Sequence, residues 1–131
     1  MVTSMQGTKK IIALIEDDRS IHFLYKARFK RLGHTIVGAY DGVEGLHLIK
    51  ETKPDVILLD LLMPEMGGEE MLRRLRNTDW GEHIPVIVMT NVSRDEAPLS
   101  LRSLGVRDYL VKALYTPSQI AEKVLKVLDQ Q

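Results

Sequence analysis

The sequence has no cysteine, no net charge and no long apolar run, and each absence excludes a class of protein. Without cysteine there is no thiol nucleophile and no thiolate metal site. Basic and acidic residues number 18 each, which argues against bulk electrostatic binding to nucleic acid or to an anionic membrane. No run approaches the roughly 18 apolar residues of a membrane span, and residues 1–8 lack the apolar core of a signal peptide. We expect a cytoplasmic protein whose residues 1–8 form a disordered lead-in.

The residues that are present suit one globular domain. The chain has 131 residues, of which 44% are hydrophobic, and this is enough for a substantial core. Because no internal repeat, low-complexity segment or linker interrupts the chain, we assign residues 9–131 to a single domain.

Apolar strand-like runs alternate with amphipathic helical stretches. Strands are predicted at Lys10–Ile15, Thr35–Ala39, Pro54–Asp60, Pro85–Thr90 and Asp108–Val111. Helices are predicted at Ser20–Leu32, from the cap Asp41 to about Thr52, at Gly68–Arg76, at Asp95–Leu104, and from Thr116 onward with Pro117 in the first turn. The fourth helix is the weakest of these because it contains Pro98. This alternation predicts an α/β fold in which helices cover both faces of a parallel sheet.

The most informative stretch of the chain is residues 55–68. The apolar run Val56–Leu59 ends abruptly in Asp60, and a turn containing Pro64, Gly67 and Gly68 follows. Such a run predicts a strand that is buried on both faces. An ionised aspartate is excluded from a strand interior unless it is paired or binds a metal. On its own Asp60 could simply cap the strand, but its place at a strand end is also where open α/β sheets bind ligands.

Polar residues also end the other strands. Glu16 and Asp17 follow the first strand, Thr90 ends the fourth and Lys112 follows the fifth, and in a parallel sheet these ends meet at one edge. Close carboxylates repel by roughly 1 to 4 kcal/mol per pair at effective dielectric constants of 80 to 20, so they persist together where a hard cation such as Mg²⁺ neutralises them. Asp60 could then attack phosphorus, while Lys112 and Thr90 contact the phosphoryl oxygens.

Four motifs together resemble the response-regulator receiver domain, the phosphoacceptor module of two-component signalling. They are Ile15–Asp18, Asp60–Gly68, Met89–Asn91 and Tyr109–Lys112, which stand in order across about residues 10–128. The resemblance implies a doubly wound, flavodoxin-like three-layer sandwich with strand order 2-1-3-4-5. It also implies a phosphoacceptor that assists its own phosphorylation and dephosphorylation, and not an enzyme in the usual sense.

The resemblance assigns a role to each residue of the predicted site. Asp60 would be the phosphorylated residue. Asp17, Asp60 and the backbone carbonyl of Leu62 would ligate Mg²⁺, and Glu16 would help through a bound water. Gly67 and Gly68 would let the loop after Asp60 turn tightly.

The resemblance also implies a switch and partners. Thr90 and Lys112 would contact the phosphoryl group, and Tyr109 would turn inward when Thr90 moves toward the phosphate. The phosphodonor would be a sensor histidine kinase or a histidine phosphotransfer protein. The output would be a downstream protein, bound by the predicted fourth helix, fifth strand and fifth helix, with no direct contact to nucleic acid or membrane. We expect a stand-alone receiver, although the chain could also be one domain of a longer protein.

Several residues depart from the usual receiver pattern. Ala113 replaces the proline that commonly follows the lysine in a cis peptide, and because a cis bond before alanine costs roughly 2.5 to 4 kcal/mol we expect a trans bond. Asn91 stands where a small residue is usual. Leu62 and Val92 offer no hydrogen bond at positions that flank the path of the attacking water, so we expect slow loss of the phosphoryl group.

The remaining residues have simpler interpretations. The buried face of the first helix is predicted to comprise Ile21, Leu24, Tyr25, Phe29 and Leu32. Phe23 falls beside that face, where it would either pack on its own helix or meet the phosphodonor. Asp18 is predicted to be a helix cap, Trp80 to pack over a loop, and His22, His34, His47 and His83 to be surface residues.

Three other classes of protein fit the sequence less well. A phosphatase of the haloacid dehalogenase type would carry a second carboxylate two residues after Asp60, where this chain has Leu62. A flavin-binding electron carrier would need a hydroxyl- and glycine-rich loop after the first strand, where Glu16–Asp18 would repel phosphate. A phosphate-blind pseudo-receiver would not need the complete set of acidic, hydroxyl and lysine positions.

Overall fold

The computed structural model describes residues 9–130, so the predicted lead-in at residues 1–8 lies outside the described residues. Five parallel strands form one sheet in the order β2-β1-β3-β4-β5. The strands are β1 (Ile11–Ile15), β2 (Thr35–Ala39), β3 (Val56–Leu59), β4 (Val86–Thr90) and β5 (Val106–Val111). The α-helices are α1 (Arg19–Arg31), α2 (Gly42–Thr52), α3 (Gly68–Arg76) and α4 (Pro117–Asp129). The predicted doubly wound fold and strand order are confirmed.

Two apolar cores lie on opposite faces of the sheet. Successive side chains of a strand point to opposite faces, so Leu58 joins the core under α1 and α4, while Ile57 and Leu59 join the core under α2 and α3. All four residues of β3 have no exposed surface. The central strand is therefore rigidly held, and it fixes the position of whatever follows Leu59.

The predicted fourth helix is wrong as an α-helix. Two short 3₁₀ segments, Arg94–Glu96 and Leu99–Ser103, occupy its place. Pro98 explains the break, because its ring disfavours helical geometry at the preceding residue, and Ala97 accordingly has an extended backbone with φ −65° and ψ 142°. A side-chain hydrogen bond from Ser100 to Glu69 of α3 holds the second segment in place.

Helix α1 buries less of its predicted apolar face than expected. Tyr25 and Phe29 are buried and Ile21 is half-buried, but Leu24 and Leu32 are 43% and 46% exposed. The predicted stripe was too wide because both leucines lie at its margins, outside the area that the sheet covers.

Two of the four histidines are not simple surface residues, which corrects the prediction for His22 and His34. His34 Nδ1 accepts a hydrogen bond from the backbone N–H of Lys10 at 3.0 Å. His22 is half-buried and lies close to the turn after β1. His47 and His83 are exposed, as predicted.

The predicted helix caps are confirmed. Asp18 accepts a hydrogen bond from the N–H of Ser20 at 2.8 Å, and Asp41 caps α2. Thr116 forms a capping box with Gln119 at the start of α4, with Pro117 in the first turn. The residues described contain no cis peptide bond, so the trans peptide expected before Ala113 is confirmed. None of their helices is long and apolar enough to cross a membrane.

Candidate metal centre at the sheet edge

The register of β1 and β3 brings two carboxylates together. Ile15 pairs with Leu59, and the N–H of Asp60 donates to the carbonyl oxygen of Ile15 at 3.0 Å. Glu16 and Asp60 are consequently neighbours where the two central strands end. Both are almost wholly buried, with 1% and 5% of their surface exposed, whereas Asp17 is exposed.

Lys112 joins this cluster from the end of β5. Its Nζ donates to Asp60 Oδ2 at 3.1 Å and also donates to Glu16 Oε1. Burial alone would lower the pKa of Lys112, but its hydrogen bond to Glu16 and the charges of Asp60 and Glu16 outweigh burial and raise that pKa. The ammonium therefore stays protonated and partly neutralises the carboxylates.

Burial raises the pKa of Glu16, so this carboxyl group holds its proton up to a higher pH than usual. Loss of solvent raises the pKa of Glu16 to about 7 although Lys112 and the backbone N–H of Asp18 lower it, and the charge of Asp60 raises it further. Above that pH three carboxylates and one ammonium share the site, a net charge of −2.

The donor set fits a magnesium ion. Glu16, Asp17 and Asp60 each offer a carboxylate oxygen, and these oxygens all lie within 4.8 Å of one another. Two ligands of one Mg²⁺ are at most about 4.2 Å apart at the usual bond length of 2.0–2.1 Å. Small side-chain movements would therefore bring the three oxygens within reach of one ion. All the donors are hard oxygens, and the net charge of the cluster matches a divalent cation.

The loop after Asp60 turns sharply back toward the sheet. The N–H of Leu62 donates to Asp60 Oδ1 at 3.3 Å, and Leu62 itself is 63% exposed. A Cβ at Gly68 would lie 2.2 Å from the backbone oxygen of Asp60, so the predicted need for glycine holds there. The left-handed backbone in this loop belongs to Glu65, with φ 65°, and no residue pattern predicted this conformation.

Thr90 and Tyr109 lie on the neighbouring strands β4 and β5. Thr90 is completely buried, and its Oγ1 accepts a hydrogen bond from the N–H of Val92 at 3.4 Å. The Tyr109 hydroxyl donates to the carbonyl oxygen of Val92 at 2.7 Å. The short segment after β4 therefore connects the hydroxyl of Thr90 to the ring of Tyr109.

Arg94, a residue that no motif indicated, holds Tyr109 in this position. Its guanidinium donates to the backbone oxygen of Tyr109 at 2.7 Å and lies 5.8 Å from the ring centroid. Burial raises the pKa of Tyr109, while the positive charge of Arg94 lowers it to a smaller extent. An arginine after a strand has no distinctive spacing, so no sequence signal could have found this contact.

The two residues predicted to exclude water, Leu62 and Val92, lie in one cleft. Leu62 and Val92 line this cleft together with Leu61, Pro98 and three glutamates, Glu69, Glu70 and Glu96, so its lining mixes apolar and acidic side chains. Asn91 is exposed. Phe23 is 80% exposed on α1, so it does not pack on its own helix.

Known proteins that resemble this chain include response regulators. The family model of the response regulator receiver domain matches residues 12–125. Transcriptional regulatory protein AfsQ1 of Streptomyces coelicolor is 38% identical over 102 residues, which cover 77% of this chain and 44% of AfsQ1. The chain therefore spans less than half the length of that relative.

Solved structures of response regulators superpose closely on this chain. The receiver domain of the Francisella response regulator 1452 superposes with a TM-score of 0.82 at 27% identity, covering 93% of this chain and 98% of that one. The phosphorylated cyanobacterial phytochrome response regulator RcpA superposes with a TM-score of 0.77 at 26% identity, covering 92% and 91% of the two chains.

Proposed function

The chain belongs to the response regulator receiver family of two-component signalling, and we propose that its Asp60 accepts a phosphoryl group from a phosphohistidine. The donor is a sensor histidine kinase or a histidine phosphotransfer protein. A carboxylate oxygen of Asp60 forms the new O–P bond, the P–N bond to the donor imidazole breaks, and the imidazole nitrogen keeps the electron pair. The product is an aspartyl phosphate.

One observation carries this proposal: a buried aspartate, Asp60, and a half-buried lysine, Lys112, meet at the carboxyl edge of the sheet. Lys112 Nζ lies 3.1 Å from Asp60 Oδ2, so its ammonium is already in place to stabilise negative charge that develops on a phosphoryl group bound to Asp60. The Thr90 hydroxyl, at the end of the next strand, would bond another phosphoryl oxygen. The phosphorylated relative RcpA supports the same chemistry.

The metal belongs to the same proposal. Glu16, Asp17 and Asp60 would hold Mg²⁺ together with the backbone carbonyl of Leu62, with Glu16 acting through a bound water. The ion would supply positive charge that offsets the charge of the phosphoryl oxygens. The side chains of Leu62 and Val92 would exclude water from the phosphoryl group.

Tyr109 would couple phosphorylation of Asp60 to the surface that binds the downstream protein. When the Thr90 hydroxyl is drawn to the phosphoryl group, the segment carrying Val92 moves and the hydrogen bond from the Tyr109 hydroxyl is lost. The downstream protein would bind the face formed by the two 3₁₀ segments, β5 and α4. We treat residues 9–131 as one cytoplasmic receiver domain that transfers no group to a further substrate, and Phe23 as part of the surface that meets the phosphodonor.

Intact mass spectrometry tests the proposal. The protein is incubated with Mg²⁺ and acetyl phosphate, and we expect one phosphoryl group to be added. Asp60→Asn should abolish the addition, while Asp55→Asn, five residues earlier, should leave it intact. Equal phosphorylation of wild type and Asp60→Asn would contradict the proposal.

A further inference from the structure

His22 contacts the turn that carries two of the proposed metal ligands. Its Nε2 lies 2.6 Å from the backbone carbonyl oxygen of Glu16. Because a carbonyl oxygen can only accept, Nε2 must carry the proton and donate it. The acceptor belongs to the peptide bond that joins Glu16 to Asp17, so this hydrogen bond sets the orientation of the peptide between the two carboxylates.

The imidazole is held in place by Gly38 on β2 and by Tyr40 directly after it. The rings of His22 and Tyr40 lie 4.4 Å apart between centroids, and the guanidinium of Arg19 lies 4.5 Å from the same Tyr40 ring. A Cβ at Gly38 would lie only 2.4 Å from Nδ1 of His22. The ring thus occupies space that exists because residue 38 has no side chain.

Other hydrogen bonds fix the remaining groups of Glu16. Its N–H donates to the carbonyl oxygen of Ala39 at 3.0 Å, and its Oε2 accepts from the N–H of Asp18 at 3.0 Å. These contacts hold the start of the turn and the Glu16 side chain. The contact on the carbonyl, which governs the direction that the chain takes into Asp17, comes from His22.

We propose that His22 is a positioning residue for the metal centre, which holds the Glu16–Asp17 peptide so that both carboxylates face the same ion. The inference rests on the magnesium role given to these carboxylates above. His22 donates to the backbone and not to the ion, so its effect is indirect. Loss of partners that orient metal ligands typically weakens metal affinity by about 10- to 100-fold.

Calorimetric titration of the metal-free protein with Mg²⁺ at pH 8 tests this role. His22→Phe keeps an aromatic ring beside Tyr40 but removes the donor, and we expect the dissociation constant to rise at least about tenfold. His22→Gln restores an N–H near the same place and should recover most of the affinity. Gly38→Ala leaves His22 in the chain but displaces its ring, so it should also weaken binding.

A matched control and a kinetic readout separate positioning from a general loss of stability. His83→Phe makes the same substitution at a side chain that is 90% exposed and should bind Mg²⁺ like wild type. In phosphorylation by acetyl phosphate, His22→Phe should raise the Mg²⁺ concentration at half-maximal rate but leave the rate at saturating Mg²⁺ unchanged.

The outcomes are distinguishable. If wild type binds Mg²⁺ and both His22→Phe and Gly38→Ala bind it equally well, the positioning role is overturned while the proposed function stands. If wild type binds no Mg²⁺, the metal part of the proposed function fails and the role of His22 fails with it. Should His22→Phe not fold, the affinity of Gly38→Ala decides the question.

Discussion

Millimolar Mg²⁺ should raise the melting temperature of the unmodified protein. The reason is the cluster of Glu16, Asp17 and Asp60, whose carboxylate oxygens lie within 4.8 Å of one another. At that separation each pair of charges repels by roughly 1 to 3 kcal/mol at effective dielectric constants of 80 to 20. Lys112 offsets part of this repulsion through its contacts with Glu16 and Asp60, and a divalent cation would offset the rest.

The size of the effect follows from binding linkage. At 100 times the dissociation constant, an ion that binds only the folded state contributes about 2.7 kcal/mol to the free energy of unfolding. With roughly 2 cal/mol/K of unfolding entropy per residue, a chain of 131 residues should then gain roughly 10 °C in melting temperature.

Thermal unfolding followed by circular dichroism at pH 8, where Glu16 is ionised because its pKa is about 7, measures this gain. Asp17→Asn should reduce the Mg²⁺-dependent gain and raise the metal-free melting temperature, because it removes one repelling charge. Asp18→Asn is the matched control, since asparagine caps a helix as well as aspartate does and Asp18 lies outside the cluster. The reasoning would be refuted if millimolar Mg²⁺ left the melting temperature unchanged, or if it raised the melting temperatures of wild type and Asp17→Asn by the same amount.

Three further predictions concern the switch, the lifetime of the phosphoryl group and the response to high pH. Thr90→Ala should leave Asp60 phosphorylatable but uncouple the ring of Tyr109, so beryllofluoride should shift the Tyr109 resonances in wild type and not in the variant; equal shifts would disprove the coupling. Leu62→Asn combined with Val92→Glu should speed loss of the phosphoryl group at constant Mg²⁺, because polar side chains can orient the attacking water, and an unchanged rate would contradict the water-excluding role. Burial raises the pKa of Tyr25 from 10.0 to about 12, so the folded state favours the neutral phenol. The contribution of Tyr25 to the free energy of unfolding is therefore fully present below pH 10. It falls as the pH rises from 10 to 12, by about 1 kcal/mol at pH 11. Denaturant unfolding should show that Tyr25→Phe lacks this part of the decline, and parallel pH curves for the two proteins would argue against it.

Residues that end buried strands were predictable from the sequence. The short apolar run Val56–Leu59, bounded by turn signals, is typical of a covered strand, and a carboxylate directly after such a run is expected at its edge. The same argument applies to Glu16 after β1, whereas Lys112 follows β5, which is only partly buried. Because all strands are parallel, their ends share one edge, and the cluster follows without knowledge of any side-chain geometry.

Contacts that depend on tertiary packing were not predictable. Periodicity alone suggested a helix at Asp95–Leu104, but Pro98 prevents continuous α-helical geometry. His22 was predicted to be a surface residue because the four histidines show no metal-like spacing. Its partners, the Glu16 carbonyl and Tyr40, are known only once α1 packs against β2. Arg94 was missed for the same reason, since its contact with Tyr109 joins segments 15 residues apart.

Chemical trapping of the phosphorylated residue tests the central claim most directly. The protein is phosphorylated by a purified phosphohistidine donor in the presence of Mg²⁺, and the acyl phosphate is reduced with borohydride, which converts the modified aspartate to homoserine. Peptide mass spectrometry should then find homoserine at position 60 in wild type and nowhere in the Asp60→Asn variant. Homoserine at Asp17 or another carboxylate, or phosphoryl transfer that persists in Asp60→Asn, would contradict the account.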